Sequence, residues 1–127
     1  MLGGWLGNVR LFLYNGFTDM RKGFNGLSGL VNNELGRDPL SGDVFIFVNR
    51  RRTLIKLLVW DKSGFVIYYK RLEKGTFEFP STESEAKSLE LPREDLMMIL
   101  EGINLKTAKK NKRFLLKNNV DNLPVKT

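Results

Sequence analysis

The apolar residues of this chain recur at two different spacings, which predict strands in some segments and helices in others. Runs of β-branched, aliphatic and aromatic residues favour a pleated, half-buried conformation. Such runs predict four strands, at residues 9–14, 44–48, 54–60 and 65–72. Only NRRRT and DKSG separate the last three strands, and connections this short join antiparallel neighbours. These three strands should therefore form a meander.

A first helix is predicted where apolar residues repeat at intervals of three and four. Thr18 is a candidate N-cap, Asp19 would place its charge in the first turn, and Gly36 is the expected end. The predicted buried face consists of Met20, Phe24, Leu27, Val31 and Leu35.

A second helix is predicted after Pro92, since proline suits a first helical turn, and Gly102 is its expected end. Its apolar face would hold Leu96, Met97, Leu100 and Ile103. The polar residues 81–88, STESEAKS, predict a loop before it.

The order strand, helix, three-strand meander, helix predicts an α+β domain with a mostly antiparallel four-stranded sheet and both helices packed on one face. We expect one domain over residues 1–105 and a basic tail over 106–127, whose composition is typical of a mobile segment. Asn15 and Gly16 should form the turn that closes the first strand.

Two residue types are missing from the sequence, which limits the chemistry available to it. The chain has no cysteine and no histidine, so it lacks disulfides, thiolates and the commonest general base and metal ligand. Asp19, Asp43, Asp61 and Glu73 lie near predicted element ends, but their spacing matches no nuclease motif. We therefore expect no enzyme activity, no cofactor and no metal site.

The N-terminal segment MLGGWLGNVRLFLY is apolar but short, has no early basic residue and is interrupted by glycines and Arg10. Such a segment is atypical of a signal peptide and too short to span a bilayer. A soluble, cytoplasmic protein without a membrane partner is expected.

The net charge of +7 is unevenly distributed. Residues 1–76 hold twelve Lys or Arg against six Asp or Glu, residues 77–105 hold two against seven, and residues 106–127 hold seven against one. A basic surface of this size favours an anionic partner such as nucleic acid, although solubility alone also explains a high net charge.

Four basic groups are candidates for contacts with DNA phosphates. The arginine run should lie at a hairpin tip, where guanidinium forks match phosphate geometry, and YYKRLEKG interleaves tyrosines with bases on a strand. The alternatives are a solvated tip that discourages edge pairing and a half-buried strand with extended basic side chains. The candidate residues are Arg21, Lys22, Arg50, Arg51, Arg52, Lys56, Lys70, Arg71, Lys109, Lys110, Lys112 and Arg113.

Glycines interrupt the outward face of the first predicted helix. Gly26 and Gly29 should lie among Lys22, Asn25 and Asn33, whereas Gly23 borders the apolar face. Two explanations are open. Core packing can stabilise a helix that contains these glycines, or the surface without side chains can let a DNA backbone or a protein approach closely.

Several long blocks occur together in an order and spacing that resemble one known family. They are TDMRKGFNGL at 18–27, DPLSGDVFIFVNRRR at 38–52, IKLLVWDKSGFVIYYKRLEKGTFEFP at 55–80 and LEGI at 100–103. The chain resembles the small accessory protein, often called TnpB or the second reading frame product, of insertion-sequence-66-type bacterial transposable elements. It departs from the pattern at Thr53, Leu54 and Phe79, and in its tail.

The resemblance implies an accessory protein encoded beside a larger transposase and needed for efficient transposition, with no established catalytic residues. Two hypotheses follow from it: a DNA-binding module that contacts mainly phosphates, or a module that docks on the transposase. The acidic rim of the second helix, at Glu90, Glu94, Asp95 and Glu101, favours a basic protein partner or the basic tail. The oligomeric state is left open.

Overall fold

The computed structural model describes residues 8–80 and 84–103. Within them the chain forms one sheet with the strand order β4-β3-β2-β1-β5. The elements, in chain order, are β1 Leu11–Phe17, α1 Phe24–Asn33, β2 Val44–Val48, β3 Leu54–Asp61, β4 Gly64–Arg71, β5 Ser88–Leu91 and α2 Arg93–Leu100.

The α+β class, the antiparallel meander β2-β3-β4 and a mostly antiparallel sheet are confirmed, since three of the four strand pairings among the described residues are antiparallel, but the predicted number of four strands is wrong. Strands β1 and β2 are parallel, with α1 as the crossover between them. The fifth strand, β5, pairs antiparallel to β1 at the edge of the sheet. The sheet is therefore mixed, and β1 occupies an inner position.

The two helices lie on opposite faces of the sheet, which corrects the prediction that both pack on one face. Successive strand residues point to opposite faces, so Phe12 and Phe45 pack with α1 while Leu11 and Val44 pack with α2. The face under α1 is called the α1 face and the other the α2 face. Both carry a buried core, which explains why β2 is buried at every position.

The α1 face holds a smaller core rich in phenylalanine, and the rings of Phe12 and Phe45 stack with centroids 6.0 Å apart. Its buried residues are Phe12, Leu27, Val31, Leu35, Phe45, Phe47 and Leu58. The core of the α2 face is mainly aliphatic. Its buried residues are Leu11, Leu13, Val44, Ile46, Ile55, Leu57, Val59, Phe77, Leu91, Leu96, Ile99 and Leu100. Each fully buried side chain of this size contributes about 1.5–3 kcal/mol of transfer free energy.

Helix α1 begins at Phe24, later than its apolar spacing predicts. Asp19 instead binds the backbone of the two residues that follow Met20. Its Oδ1 accepts the N–H of Arg21 at 2.9 Å, and its carbonyl accepts the N–H of Lys22 at 3.1 Å. Such local bonds compete with helix formation. The helix ends at Asn33 with Glu34 as C-cap, and Gly36, the predicted end, follows two residues after the cap with φ +63°.

Strand β1 continues through Asn15 and Gly16, which were predicted to form a turn. Its register with β2 shifts between Leu13 and Phe17, so the strand carries a local irregularity there. The backbone N–H of Asn15 bonds to the carbonyl of Lys87 at 2.8 Å, which anchors the segment leading into β5. After this irregularity Phe17 is paired with Val48, so β1 and β2 end at the same edge of the sheet.

The second helix matches its prediction closely, with Pro92 as N-cap and Gly102 at φ +76°. Leu96 and Leu100 are buried as expected, together with Ile99. Met97 and Ile103, assigned to the apolar face, are instead exposed to 38% and 42%. The predicted basic tail lies outside the described residues.

Candidate nucleic-acid interface

The arginine run forms a tight turn between β2 and β3, called here the arginine turn and comprising residues 49–53. Asn49 organises it, because its Oδ1 accepts the backbone N–H groups of Thr53 and Leu54, both at 2.9 Å. The N–H of Arg52 bonds to the Asn49 carbonyl at 3.0 Å, and Arg52 has φ +59°. The backbone is thus fixed from within, and Arg50 and Arg51 are exposed.

The three arginines of the turn differ in their partners. Arg52 lies against Glu78, with Nη1 3.9 Å from Oε2. The Arg50 guanidinium lies 5.1 Å from the centroid of the Phe17 ring, within cation–π distance. Within residues 8–80 and 84–103, neither Arg50 nor Arg51 has a carboxylate within ion-pair distance. Two adjacent positive charges are therefore uncompensated at the tip.

A cleft of about 410 Å³ separates the arginine turn from the segment that follows β1, and it is called the Phe17 cleft. Phe17 is 46% exposed beside it. Thr18 is buried in its wall and donates its N–H to the Val48 carbonyl at 2.8 Å. The lining residues are Phe17, Thr18, Asp19, Met20, Asn49, Arg50, Arg51 and Leu54.

Arg21 and Lys22 lie in the loop before α1. Arg21 Nη2 lies 2.6 Å from Asp19 Oδ2 in an exposed ion pair. Hydrogen bonds from the Arg21 side chain and backbone lower the pKa of Asp19 to about 2. The charge of Arg21 is thus compensated at neutral pH, whereas the Lys22 side chain has no carboxylate partner among the described residues.

Lys56 is buried, with 7% of its surface exposed, so it does not join the exposed cations. Its Nζ donates to the carbonyls of Met20 and Lys22, both at 2.8 Å. The same ammonium lies 4.5 Å from the centroid of the Tyr69 ring. Lys56 therefore holds the loop before α1 against the sheet.

The predicted alternation along β4 is confirmed. Tyr68 packs against the core of the α2 face, and Tyr69 on the opposite face is 53% exposed. Lys70 Nζ donates to the carbonyl of Leu100 at 2.6 Å, where a cation complements the C-terminus of α2. Arg71 forms an exposed ion pair with Glu73 at 2.8 Å.

The structure brings part of the predicted set together at the end of the sheet where β1 and β2 finish. Arg50, Arg51 and Arg71 lie there, and Lys56 ties the loop of Arg21 and Lys22 to it. Lys70 faces α2 and Lys56 is internal. The remaining candidates, Lys109, Lys110, Lys112 and Arg113, lie outside the described residues.

Two contributors were not among the predicted site residues. Phe17 follows the irregular part of β1, and its position depends on pairing that local periodicity does not reveal. Asn49 precedes the arginines, and the preference of asparagine for turns is the signal that would have identified it.

Three of the four carboxylates considered for metal binding have partners in the structure. Asp19 and Glu73 pair with arginines, whereas Asp43 accepts the N–H of Arg10 at 3.2 Å near the opposite end of the sheet. Across the described residues no group of three or more acidic side chains is placed to hold a metal ion. None of the helices found there has the length and apolar character needed to cross a membrane.

Comparison with known proteins places the chain among relatives of similar length. Residues 9–110 match the sequence model of a family described as IS66 Orf2 like protein. The uncharacterized protein y4hO of Sinorhizobium fredii (strain NBRC 101917 / NGR234) is 37% identical over 97 residues, covering 76% of this chain and 83% of that protein. The uncharacterized protein y4jC of the same organism is 32% identical over 102 residues, covering 80% and 86%. No solved structure gives a significant match.

Proposed function

Because this chain belongs to the IS66 Orf2-like family, whose members are accessory proteins of insertion-sequence transposition, we propose that it serves transposition by binding DNA at the arginine turn. The contacts are mainly to phosphates. Binding is non-catalytic and positions DNA for the separate transposase.

The observation that carries this proposal is the pair of uncompensated charges at Arg50 and Arg51. The ion pairs of Arg10, Arg21 and Arg71 lie at 2.6–2.8 Å, which leaves those guanidinium groups largely neutralised by neighbours. Two adjacent arginines on a turn held by Asn49 present a fixed, doubly charged surface. Guanidinium groups bind phosphate oxygens bidentately, and such contacts supply most sequence-independent affinity for DNA.

The residues that the two helices expose favour contact with DNA phosphates over recognition of base edges. The exposed residues of α2 are Arg93, Glu94 and Met97, and Glu101 is exposed at its C-cap. Helix α1 has ten residues and exposes glycine and asparagine on much of its outer surface. Neither helix offers the row of long polar side chains that reads base edges in the major groove. Backbone contacts position a protein on DNA without selecting a sequence.

The experiment compares the full chain with an Arg50→Ala/Arg51→Ala variant in gel-shift or fluorescence-anisotropy titrations on element-end DNA. The variant should bind at least tenfold more weakly at low salt. A matched control, Arg10→Gln/Lys62→Asn, removes the same number of positive charges near the opposite end of the sheet and should change affinity much less. Equal losses in both variants would show that net charge, rather than the arginine turn, carries the binding. Wild-type protein that binds no DNA even at low salt would overturn the proposal.

A second candidate function, docking on the transposase, is favoured by one specific feature. Met97 and Ile103 are exposed on and just after α2, beside the acidic Glu94 and Glu101. An apolar centre with an acidic rim suits a basic protein surface. Capture of purified transposase by the full chain should then fail for Met97→Asp and persist for Arg50→Ala/Arg51→Ala. Capture that depends on Arg50 and Arg51 would instead place the transposase contact on the arginine turn.

A further inference from the structure

The two edges of the sheet, formed by β4 and β5, differ in length and in protection. Strand β4 has eight residues, and its register with β3 runs without a shift along its whole length. Strand β5 has four residues, carries the exposed ion pair of Glu90 with Arg10, and is followed at once by Pro92. Short length, charge and proline are features that keep an edge strand from pairing with another chain. Residues 65–69 of β4, FVIYY, contain no charge and no proline, so β4 is the edge that is open to pairing.

Alternate residues of β4 direct their backbone N–H and carbonyl groups away from the sheet. The N–H of Leu72, just after β4, bonds to the carbonyl of Thr53 at 2.9 Å and so points toward β3. Because inward and outward groups alternate along an antiparallel pair, the even-numbered residues of β4 also point toward β3. The outward residues are Phe65, Ile67, Tyr69 and Arg71. Within residues 8–80 and 84–103, β4 has a strand neighbour on one side only, and no turn or loop backbone bond reaches these four residues. Such a row of free groups is a template for a further strand.

Both cores of the protein extend to the β4 edge and are only half-covered there. Val66 and Tyr68 pack against the core of the α2 face, and Phe65 and Ile67 pack against the core of the α1 face. All four side chains are half-buried, whereas residues 55–59 on the neighbouring strand β3 are buried. A strand beside β4 would cover the exposed parts of these side chains on both faces of the sheet.

Strand β4 is self-complementary in antiparallel pairing. Outward groups of one strand must oppose outward groups of the other, so the overlap is fullest when the two-fold axis passes through Ile67 or Tyr68. Lys70 and Arg71 then lie opposite residues 63–66 of the second copy, which are uncharged. The positive charges of the two copies therefore lie at opposite ends of the strand pair and do not face each other. Opposed residues share a face, so the apolar side chains of each face continue from one copy into the other.

We propose that two copies of this chain form a dimer by antiparallel pairing of their β4 edges, which joins the two sheets into one. Each opposed pair of outward residues exchanges two backbone hydrogen bonds, which gives about eight such bonds across the interface. Pairing of identical edges about a two-fold axis closes the assembly at two copies, and only the short β5 edges remain outside. The dimer forms without DNA, so its test is independent of binding at the arginine turn.

Sedimentation equilibrium of the full chain, without DNA, should give twice the chain mass of 14.6 kDa at micromolar concentration. Tyr69→Pro removes an outward N–H but none of the bonds to β3, at an edge position where proline is tolerated. It should raise the Kd of the dimer by at least about tenfold. The matched control is Glu90→Pro on β5, whose N–H also points outward, since Asn15 on β1 bonds to the carbonyl of Lys87. This control should leave the Kd within about twofold of the wild type.

Cross-linking gives a second readout that decides the question even where the proline variant fails to fold. The chain has no cysteine, so a single introduced cysteine reports its own neighbour. Ile67→Cys and Tyr68→Cys lie at or beside the two-fold axis, where opposed Cα atoms are about 4.5–5.5 Å apart, and at least one should form an intermolecular disulfide on mild oxidation. Glu90→Cys, exposed on β5, should cross-link much less. A wild type that is monomeric at every concentration overturns the dimer. A dimer that yields no disulfide at either β4 position forms through another surface, which also overturns it.

Discussion

The ammonium of Lys56 donates a hydrogen bond of 2.8 Å to the backbone carbonyl of Lys22 and an equal one to that of Met20. The sequence made both Lys22 and Lys56 candidate phosphate ligands, but the structure places the two side chains differently. Lys56 is internal and fixes the loop before α1, while the Lys22 side chain is exposed on that loop. The arginine turn and this loop form the two sides of the Phe17 cleft.

Replacing Lys56 with methionine should destabilise the fold while sparing intrinsic DNA affinity. The substitution keeps much of the side-chain volume but removes two charge-assisted bonds to carbonyls, each worth about 1.5–3 kcal/mol at most. We expect the free energy of unfolding in urea to fall by about 2–3 kcal/mol. Lys74→Met, at an exposed position, should change it by less than about 0.5 kcal/mol. An unchanged stability of Lys56→Met would show that these bonds do not anchor the loop.

The two outward glycines of α1 should respond differently to alanine. Nothing lies within 4 Å of a Cβ built at Gly29, so Gly29→Ala should stabilise the protein by about 0.5–1 kcal/mol. A Cβ at Gly26 would lie 3.0 Å from Lys22 Cβ. Gly26→Ala should therefore be the less stable of the two, because Lys22 is held through its own carbonyl by Lys56. Equal stabilisation of both variants in thermal melts would mean that Lys22 and its loop move away from the new methyl group at no measurable cost.

The pH dependence of the Asp19–Arg21 pair follows from the direction of its pKa shift. The folded pKa of Asp19 is lowered from 3.8 to about 2, chiefly by hydrogen bonds from Arg21. A lowered pKa stabilises the folded state above the unfolded pKa, and that contribution is lost as the pH falls toward 2. The pair is exposed, so its effect on stability is small. Carboxyl NMR titration should report the low pKa in the wild type and a value near 3.9 in Arg21→Gln; an unshifted wild-type value would contradict the pairing.

Two substitutions of Asn49 should separate its effect on stability from its effect on DNA affinity. Asn49→Ala removes the acceptor for two backbone N–H groups and should cost about 1–2 kcal/mol in urea unfolding. Asn49→Asp keeps that acceptor and adds a negative charge beside Arg50. It should retain more stability than the alanine variant yet bind DNA more weakly than the wild type. Unaltered DNA affinity in Asn49→Asp would argue against phosphate contact at this turn.

Local sequence patterns were sufficient to predict the elements whose limits and burial follow from their own residues. Strand β2 was predicted with its observed limits, because VFIFV is apolar on both faces and bounded by polar residues. Pro92 also marked the start of α2 correctly, and Gly36 lies three residues after the last residue of α1, since a fixed proline φ and a positive glycine φ are intrinsic preferences.

Other features depend on contacts between distant segments. The strand SLEL is short and follows a polar stretch, and its pairing with β1 defines it. Helix α1 starts late because Asp19 and Lys56 bind the preceding backbone, although Met20 continues the helical spacing. The prediction that both helices cover one face was wrong, because β2 is apolar on both sides and is buried under a helix on each.

The same limit applies to the candidate site. The sequence identified the arginine run correctly as the tip between two strands. It gave no means of separating Arg50 and Arg51 from the paired Arg71 or the internal Lys56, since charge partners are contributed by other elements.

The central claim, that the arginine turn contacts DNA phosphates, is tested most directly by the salt dependence of DNA affinity. The logarithm of the association constant should fall linearly with the logarithm of salt concentration, with a slope of about −0.9 per phosphate neutralised. Arg50→Ala/Arg51→Ala should make that slope shallower by about two, while Arg10→Gln/Lys62→Asn leaves it near the wild-type value. Parallel salt plots for the wild type and the Arg50→Ala/Arg51→Ala variant would contradict the claim.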